Sequence, residues 1–276
     1  MRLASLNPSR LLASTALAAS LAVGLAGCKT ANGPETTGAL ASAPAPTSEA
    51  GWRSEVEKWE ALYKARPDDV TNAAKYAQAL RATGQRTQAV AVLEQATIKH
   101  PHDKSLLGSY GRALAEIGNY NQALEVFSRA HNPDMPDWRI LSAQGAVLDQ
   151  LGRYDEARRY YASALKIVPD EPSVLSNLGL SYALSKDLKQ AEATLRRATA
   201  QPGVGPRARQ NLALVVGLQG RFSEAEDIAR SDLPADEAAA NVEYLRQMLA
   251  QQKDDAKKPA AAEKPKRISS APALRS

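Results

Sequence analysis

From residue 70 to residue 233, small and apolar side chains recur with a helical period, and that pattern itself returns every 34 residues. The window Trp138–Glu171 shows it most plainly. Leu141, Gly145 and Leu148 fall on one face of a first helix, and Ala157, Tyr161 and Ala164 on one face of a second. Gly152 lies between them, where a helix can close in the left-handed conformation that glycine tolerates. Pro169 follows the second helix and cannot continue it. The unit reads as two amphipathic helices joined by a tight turn.

Windows begin at Val70, Lys104, Trp138, Pro172 and Pro206. The small residue inside the first helix is Ala77, Gly111, Gly145, Gly179 and Ala213, and the alanine opening the second helix is Ala89, Ala123, Ala157, Ala191 and Ala225. Such residues let two helices approach closely. Leu80, Leu114, Leu148, Tyr182 and Val216 fill the space from first helices, and Leu93, Phe127, Tyr161 and Leu195 from second helices. The turn glycine recurs as Gly84, Gly118, Gly152 and Gly220. Period and spacing together resemble the tetratricopeptide repeat (TPR). They predict an all-α solenoid of about five helix-turn-helix repeats, 70–233, in which the concave side binds protein segments. Departures predict irregular links: Lys186 in place of the turn glycine, and Met135 and Gly203 in place of the terminal proline. Arg209, Ala229 and Asp232 break the fifth unit, so its second helix should be short.

The ends of the array need caps. Residues 52–69 read as a leading helix with Trp52 and Trp59 as anchors, and 234–252 as a capping helix with Ala239, Val242, Leu245, Met248 and Leu249 on one side. Residues 253–276 lose periodicity and are rich in Lys, Pro, Ala and Ser, which predicts a disordered basic tail. It is either merely solvated or in contact with anionic lipid or an acidic partner.

The first 27 residues join a basic start to a short apolar run that closes in Leu25-Ala26-Gly27-Cys28. This predicts an export signal, and its ending resembles the bacterial lipobox, which implies cleavage before Cys28 and acylation of that cysteine. The alternative is an ordinary signal or an anchor helix with Cys28 incidental. Lys29 follows, not the aspartate of inner-membrane retention signals in enteric bacteria. By that analogy the destination is the outer membrane, on its periplasmic face. Residues 28–51, rich in Ala, Pro, Thr, Ser and Gly, read as a flexible tether.

Charge and composition narrow the function. The formal +5 comes from the two ends, +2 in residues 1–27 and +4 in 253–276, which leaves the body near −1. No nucleic-acid partner is expected from so neutral a body. Cys28 is the single cysteine, so an intramolecular disulfide and a multi-thiolate metal site are excluded. His100, His102 and His131 stand at helix ends or in links, where surface or capping roles are expected. Gly203-Val204-Gly205 lacks the context of a phosphate loop, and no Ser, His and Asp set has a supporting motif. The expectation is no enzyme, no cofactor, no metal and no small-molecule substrate.

What remains is a groove. By similarity to TPR proteins, Gln78, Arg112, Arg139, Ser142, Ser176, Leu180, Gln210 and Leu214 are candidate partner-binding residues, polar toward the N-terminal half and apolar toward the C-terminal half. The set of Lys, Asn and Arg that clamps a C-terminal carboxylate in some TPR domains is not reproduced. A mixed groove suits an amphipathic protein segment, unless the terminal helix covers those leucines. Gln144 stands where other units have Tyr76, Tyr110, Leu178 or Leu212; it is either a satisfied structural residue or a polar contact to a partner.

The C-terminal stretch is more specific than the repeats. Residues 209–226 (RQNLALVVGLQGRFSEAE), Asp232-Leu233-Pro234 and residues 240–249 (ANVEYLRQML) resemble TadD-like TPR lipoproteins of the tight-adherence (Tad/Flp) pilus assembly system. That resemblance implies an outer-membrane lipoprotein that helps assemble or localise the pilus secretin, with the secretin or another Tad component as partner and the lipid on Cys28 as the membrane contact. An adaptor for an envelope protease or cell-wall hydrolase, and a self-associating scaffold, are the alternatives.

Overall fold

The computed structural model describes Pro46 and residues 48–257. Cys28, most of the expected tether and most of the basic tail lie outside the described residues. Among these the protein consists of twelve α-helices and no strand: α1 (Glu49–Ala65), α2 (Val70–Ala82), α3 (Arg86–Lys99), α4 (Lys104–Glu116), α5 (Tyr120–Ala130), α6 (Trp138–Gln150), α7 (Tyr154–Ile167), α8 (Pro172–Leu184), α9 (Leu188–Thr199), α10 (Pro206–Leu218), α11 (Phe222–Ala229) and α12 (Ala235–Lys257). The five first helices start at the five window positions, 34 residues apart. The chain divides into two compact units between Ala208 and Arg209.

In the first unit each helix packs against its neighbours in the chain, and α2, α4, α6 and α8 also approach one another in succession. Second helices make no such approach to one another among the described residues. First helices therefore line one side of the unit and second helices the other. The core runs continuously from Val56, Trp59 and Tyr63 of α1 to Val147 of α6, and continues through Tyr161, Ala164 and Val174. Close approach depends on the glycines inside first helices. A Cβ at Gly111 would stand 2.6 Å from the Phe127 ring, at Gly145 2.6 Å from the Tyr161 ring, and at Gly179 2.5 Å from Leu195 Cγ.

The repeat also carries its own caps. Asp69, Asp103 and Asp137 precede the first helices at 34-residue intervals and accept from backbone N–H groups at Asn72, Leu106 and Arg139, at 3.0, 2.8 and 2.8 Å. Glu171 takes the fourth place. Each cap satisfies a donor that the helix itself leaves orphaned.

The turn glycines adopt φ between 73° and 84° at Gly84, Gly118, Gly152 and Gly220. Lys186, at the same place in the fourth unit, adopts φ 67° despite its Cβ. A left-handed lysine costs about 1 kcal/mol. Lys186→Gly is expected to stabilise the array by roughly that amount, less the entropy glycine loses on folding; a lowered denaturation midpoint would contradict this.

The ends differ from expectation. The leading helix begins at Glu49, inside the stretch read as tether up to residue 51. Ser48 caps it by accepting from the Gly51 N–H at 3.1 Å, and Pro46 lies against Gly51. The capping helix runs to Lys257, past the boundary drawn at residue 252 and into the stretch read as a tail. Its extension is rich in Ala, Gln and Lys, which sustain a helix, and Pro259 bars the residue before it from continuing. The link after α5 is irregular as expected: Pro133 ends that helix at Ala130.

The second unit holds most of α10 with α11 and α12. The eight residues of α11 make it the shortest of the twelve helices. The departures at Arg209 and Asp232 compensate each other, since Arg209 Nε donates to Asp232 Oδ2 at 2.8 Å and a second guanidinium nitrogen reaches Oδ1. Ala213, Ala229 and Ala238 form the core of this unit. Leu245 of α12 fills the space over Gly217, where a Cβ would meet its Cδ2 at 2.5 Å. The terminal helix thus lies on the same helix that carries Leu214 and Leu218.

A groove along the first helices

Two rows of side chains run along the first helices of the first unit. One holds Gln78, Arg112, Ala146 and Leu180, each 34 residues from the next. Gln78 is exposed, and the other three are half-buried. The second row holds Ala74, Gly108, Ser142 and Ser176, and it faces the neighbouring first helix. A Cβ at Gly108 would stand 2.6 Å from Ile140 Cδ1. Ser142 and Ser176 are 7% and 5% exposed, and Ser142 Oγ accepts from Asn177 Nδ2 at 3.2 Å. These two serines, expected to contact a partner, instead sit at the junctions between repeats. Small residues are required where first helices approach each other, and a serine there tolerates burial once its hydroxyl is bonded.

Arg139 lies at the start of α6, half-buried, with its guanidinium carbon 4.4 Å from the centre of the Trp138 ring. A cation over an indole face is held electrostatically and remains able to bond outward. In the second unit Gln210 and Leu214 are both half-buried on α10.

Neighbouring repeats are tied on this side by polar pairs. Arg81 Nε donates to Glu116 Oε2 at 2.8 Å, with a second guanidinium contact to Oε1. Further along, Asp149 of α6 accepts from Tyr161 Oη of α7 at 2.8 Å and from Ser181 Oγ of α8 at 2.6 Å. This carboxyl is buried, and burial pushes it up to about 6 against the pull of its two hydroxyl donors and the charge of Arg158. The Tyr161 hydroxyl is pushed upward too, first by burial and then by the Asp149 charge. Arg158 donates to Ser185 Oγ at 3.1 Å and lies 5.1 Å from the Tyr182 ring centre. The pattern analysis assigned no role to Asp149. The available signal was Tyr161 itself, whose hydroxyl in a slot otherwise filled by Leu93, Phe127 and Leu195 demands a buried partner.

The histidines cap or link. His100 Nε2 lies 2.8 Å from Asp68 O, and His131 closes α5. Among the described residues no group of three or more His, Cys, Asp or Glu side chains is placed to hold a metal ion, and no helix is long and apolar enough to cross a membrane.

Residues 75–136 and 139–201 match tetratricopeptide-repeat family models. No curated protein matches the sequence. Among solved structures the chain is similar to PilW, described as a widely conserved type IV pilus biogenesis factor, with TM-score 0.62 and 15% identity over 86% of this chain and 99% of that one. It is also similar to the APC/C hetero-tetramer Cut9–Hcn1, with TM-score 0.61 and 15% identity over 76% of this chain and 43% of that one. At such identity these likenesses establish the fold. Over residues 75–136 and 139–201 the chain is a tetratricopeptide-repeat protein.

Proposed function

We propose that this protein is a non-enzymatic adaptor of the outer membrane that grips a protein partner along its first helices and assists secretin assembly or localisation in Tad/Flp pilus biogenesis. The observation that carries the binding part is the row Gln78, Arg112, Ala146 and Leu180. It runs along the side where first helices approach one another, polar at one end and apolar at the other. An amphipathic segment suits it, with carboxylates toward Arg112 and Arg139 and apolar residues toward Leu180 and Leu184. Tetratricopeptide repeats are protein-binding scaffolds, and the fold is one that a pilus biogenesis factor also uses. The C-terminal stretch from Arg209 to Leu249 supports the pilus assignment by its resemblance to TadD-like lipoproteins. Lipid on Cys28 would hold the mature chain at the membrane, where several acyl chains give stable attachment. The pilus secretin, or another component of that system, is the partner this reading names.

Leu180 is the residue to change. It is half-buried on the groove side of α8, so aspartate there introduces a charge where an apolar side chain would dock. Leu180→Asp is expected to weaken capture of the partner roughly tenfold or more, equivalent to at least about 1.4 kcal/mol, with the helical signal unchanged. Undiminished capture by a folded variant would remove this row from the interface.

A further inference from the structure

A second surface emerges where consecutive repeats meet at the end of one second helix and the middle of the next first helix. Counting by 34 gives the same two positions at each junction. At the first they are Tyr63 and Tyr76, whose ring centres lie 5.6 Å apart. At the second they are Thr97 and Tyr110. The Tyr110 hydroxyl accepts from Gln122 Nε2 at 3.2 Å and also bonds Glu94, while the Thr97 hydroxyl donates to Glu94 O at 2.9 Å. There α3 and α5 flank an outward-open cleft of about 290 Å³, with Pro101 in its lining. At the fourth they are Leu165 and Leu178, both packed against one apolar cluster.

The third junction breaks the series. Its residues are His131 and Gln144, and Gln144 is only 4% exposed. His131 Nδ1 and Gln144 Oε1 are the buried side-chain polar atoms without a hydrogen-bond partner among the described residues. Each such atom costs about 1–3 kcal/mol when left unpaired, and the leucines of the next junction show that the fold accepts an apolar filling. The third junction retains polar atoms at a cost. Beside it Met135, which takes the place of Pro101 in the count, is 76% exposed. The rim is not built for a cation: Glu156 is bound by Arg153 at 2.7 Å, and Arg159 is exposed where the second junction has Glu125. A neutral group with two N–H donors, the carboxamide of Asn or Gln, matches the two atoms.

We propose that the junction of α5, α6 and α7 is a second docking site, which receives a partner segment carrying an Asn or Gln side chain beside an apolar residue that rests on Met135. This site is separate from the row containing Leu180, so either can fail without the other.

The test presents the full chain to a displayed library of short random peptides and measures the binders by calorimetry. The chains compared are the wild type, His131→Leu/Gln144→Leu, Met135→Asp and Leu180→Asp. The expected result is a class of peptides with Asn or Gln next to Leu, Ile, Met or Phe. The double variant and Met135→Asp should each weaken that class at least roughly tenfold, and Leu180→Asp by less than about twofold. The double variant should also melt higher than the wild type, because it copies the Leu165 and Leu178 junction. Absence of that peptide class, a smaller loss in either junction variant, or a lower melting point for the double variant would overturn the proposal. The last result would mean that the polar pair is satisfied within the fold.

Discussion

Gly145→Val is expected to destabilise the repeat array by about 3 kcal/mol, enough to lower its denaturation midpoint plainly. Two effects add. A side chain at Gly145 meets the Tyr161 ring at 2.6 Å, in the interior where α6 and α7 cross. Overpacking of this kind costs about 1–3 kcal/mol when neighbours have to shift. The Tyr161 ring cannot move freely, since its hydroxyl donates to the buried Asp149 carboxylate at 2.8 Å. Displacing the ring removes one of that carboxylate's donors, at about 1–3 kcal/mol for an unsatisfied buried group. Gly152→Ala, at the turn with φ 73° and nothing within reach of a Cβ, should cost only the backbone strain of about 1 kcal/mol. Equal effects of the two substitutions would contradict the packing account.

The second large effect is a dependence on pH. In the unfolded chain the Asp149 carboxyl titrates near its ordinary value of 3.8, and in the fold near 6. Between these values the folded state holds a proton that the unfolded state lacks, so stability falls as pH rises through the window and is lowest above it. The expected loss between pH 4.5 and 7.5 is about 2 kcal/mol, somewhat less than the full shift implies because part of the charge is screened. Asp149→Asn should flatten this slope and be the more stable protein at pH 7.5, because an amide keeps a hydrogen bond to each hydroxyl without a buried charge. Asp68 and Glu156 are held below the usual carboxylate range by hydrogen bonds from Lys99 and Arg153, so their contribution is lost only at lower pH. A slope that survives in Asp149→Asn would remove Asp149 as its source.

The 34-residue count located the start of every first helix because glycine and alanine can hardly be replaced where helices cross at these distances. It failed at the ends, where no repeat constrains the reading. Ser48 is a good cap followed by acidic Glu49, yet the proline-rich stretch before it obscured that signal. Along the groove, Gln78, Arg112 and Leu180 reach the surface, whereas Ser142 and Ser176 do not. A serine is read as polar and therefore outward, while the structure uses it for its small size. Asp149 was passed over for the same reason: one carboxylate on a first helix looks like surface until the hydroxyls of Tyr161 and Ser181 are placed around it. The departures at Arg209 and Asp232 were visible, but their pairing depends on a contact between helices that no local pattern shows.

The adaptor reading is tested most directly by photo-crosslinking from Gln78, Arg112 and Leu180 in the full-length chain within its own cell envelope, with the captured protein identified by mass spectrometry. The account predicts a pilus secretin or another component of that assembly system, crosslinked from these positions and lost in the Leu180→Asp chain. Capture of an envelope hydrolase, or of a second copy of this protein alone, would contradict it.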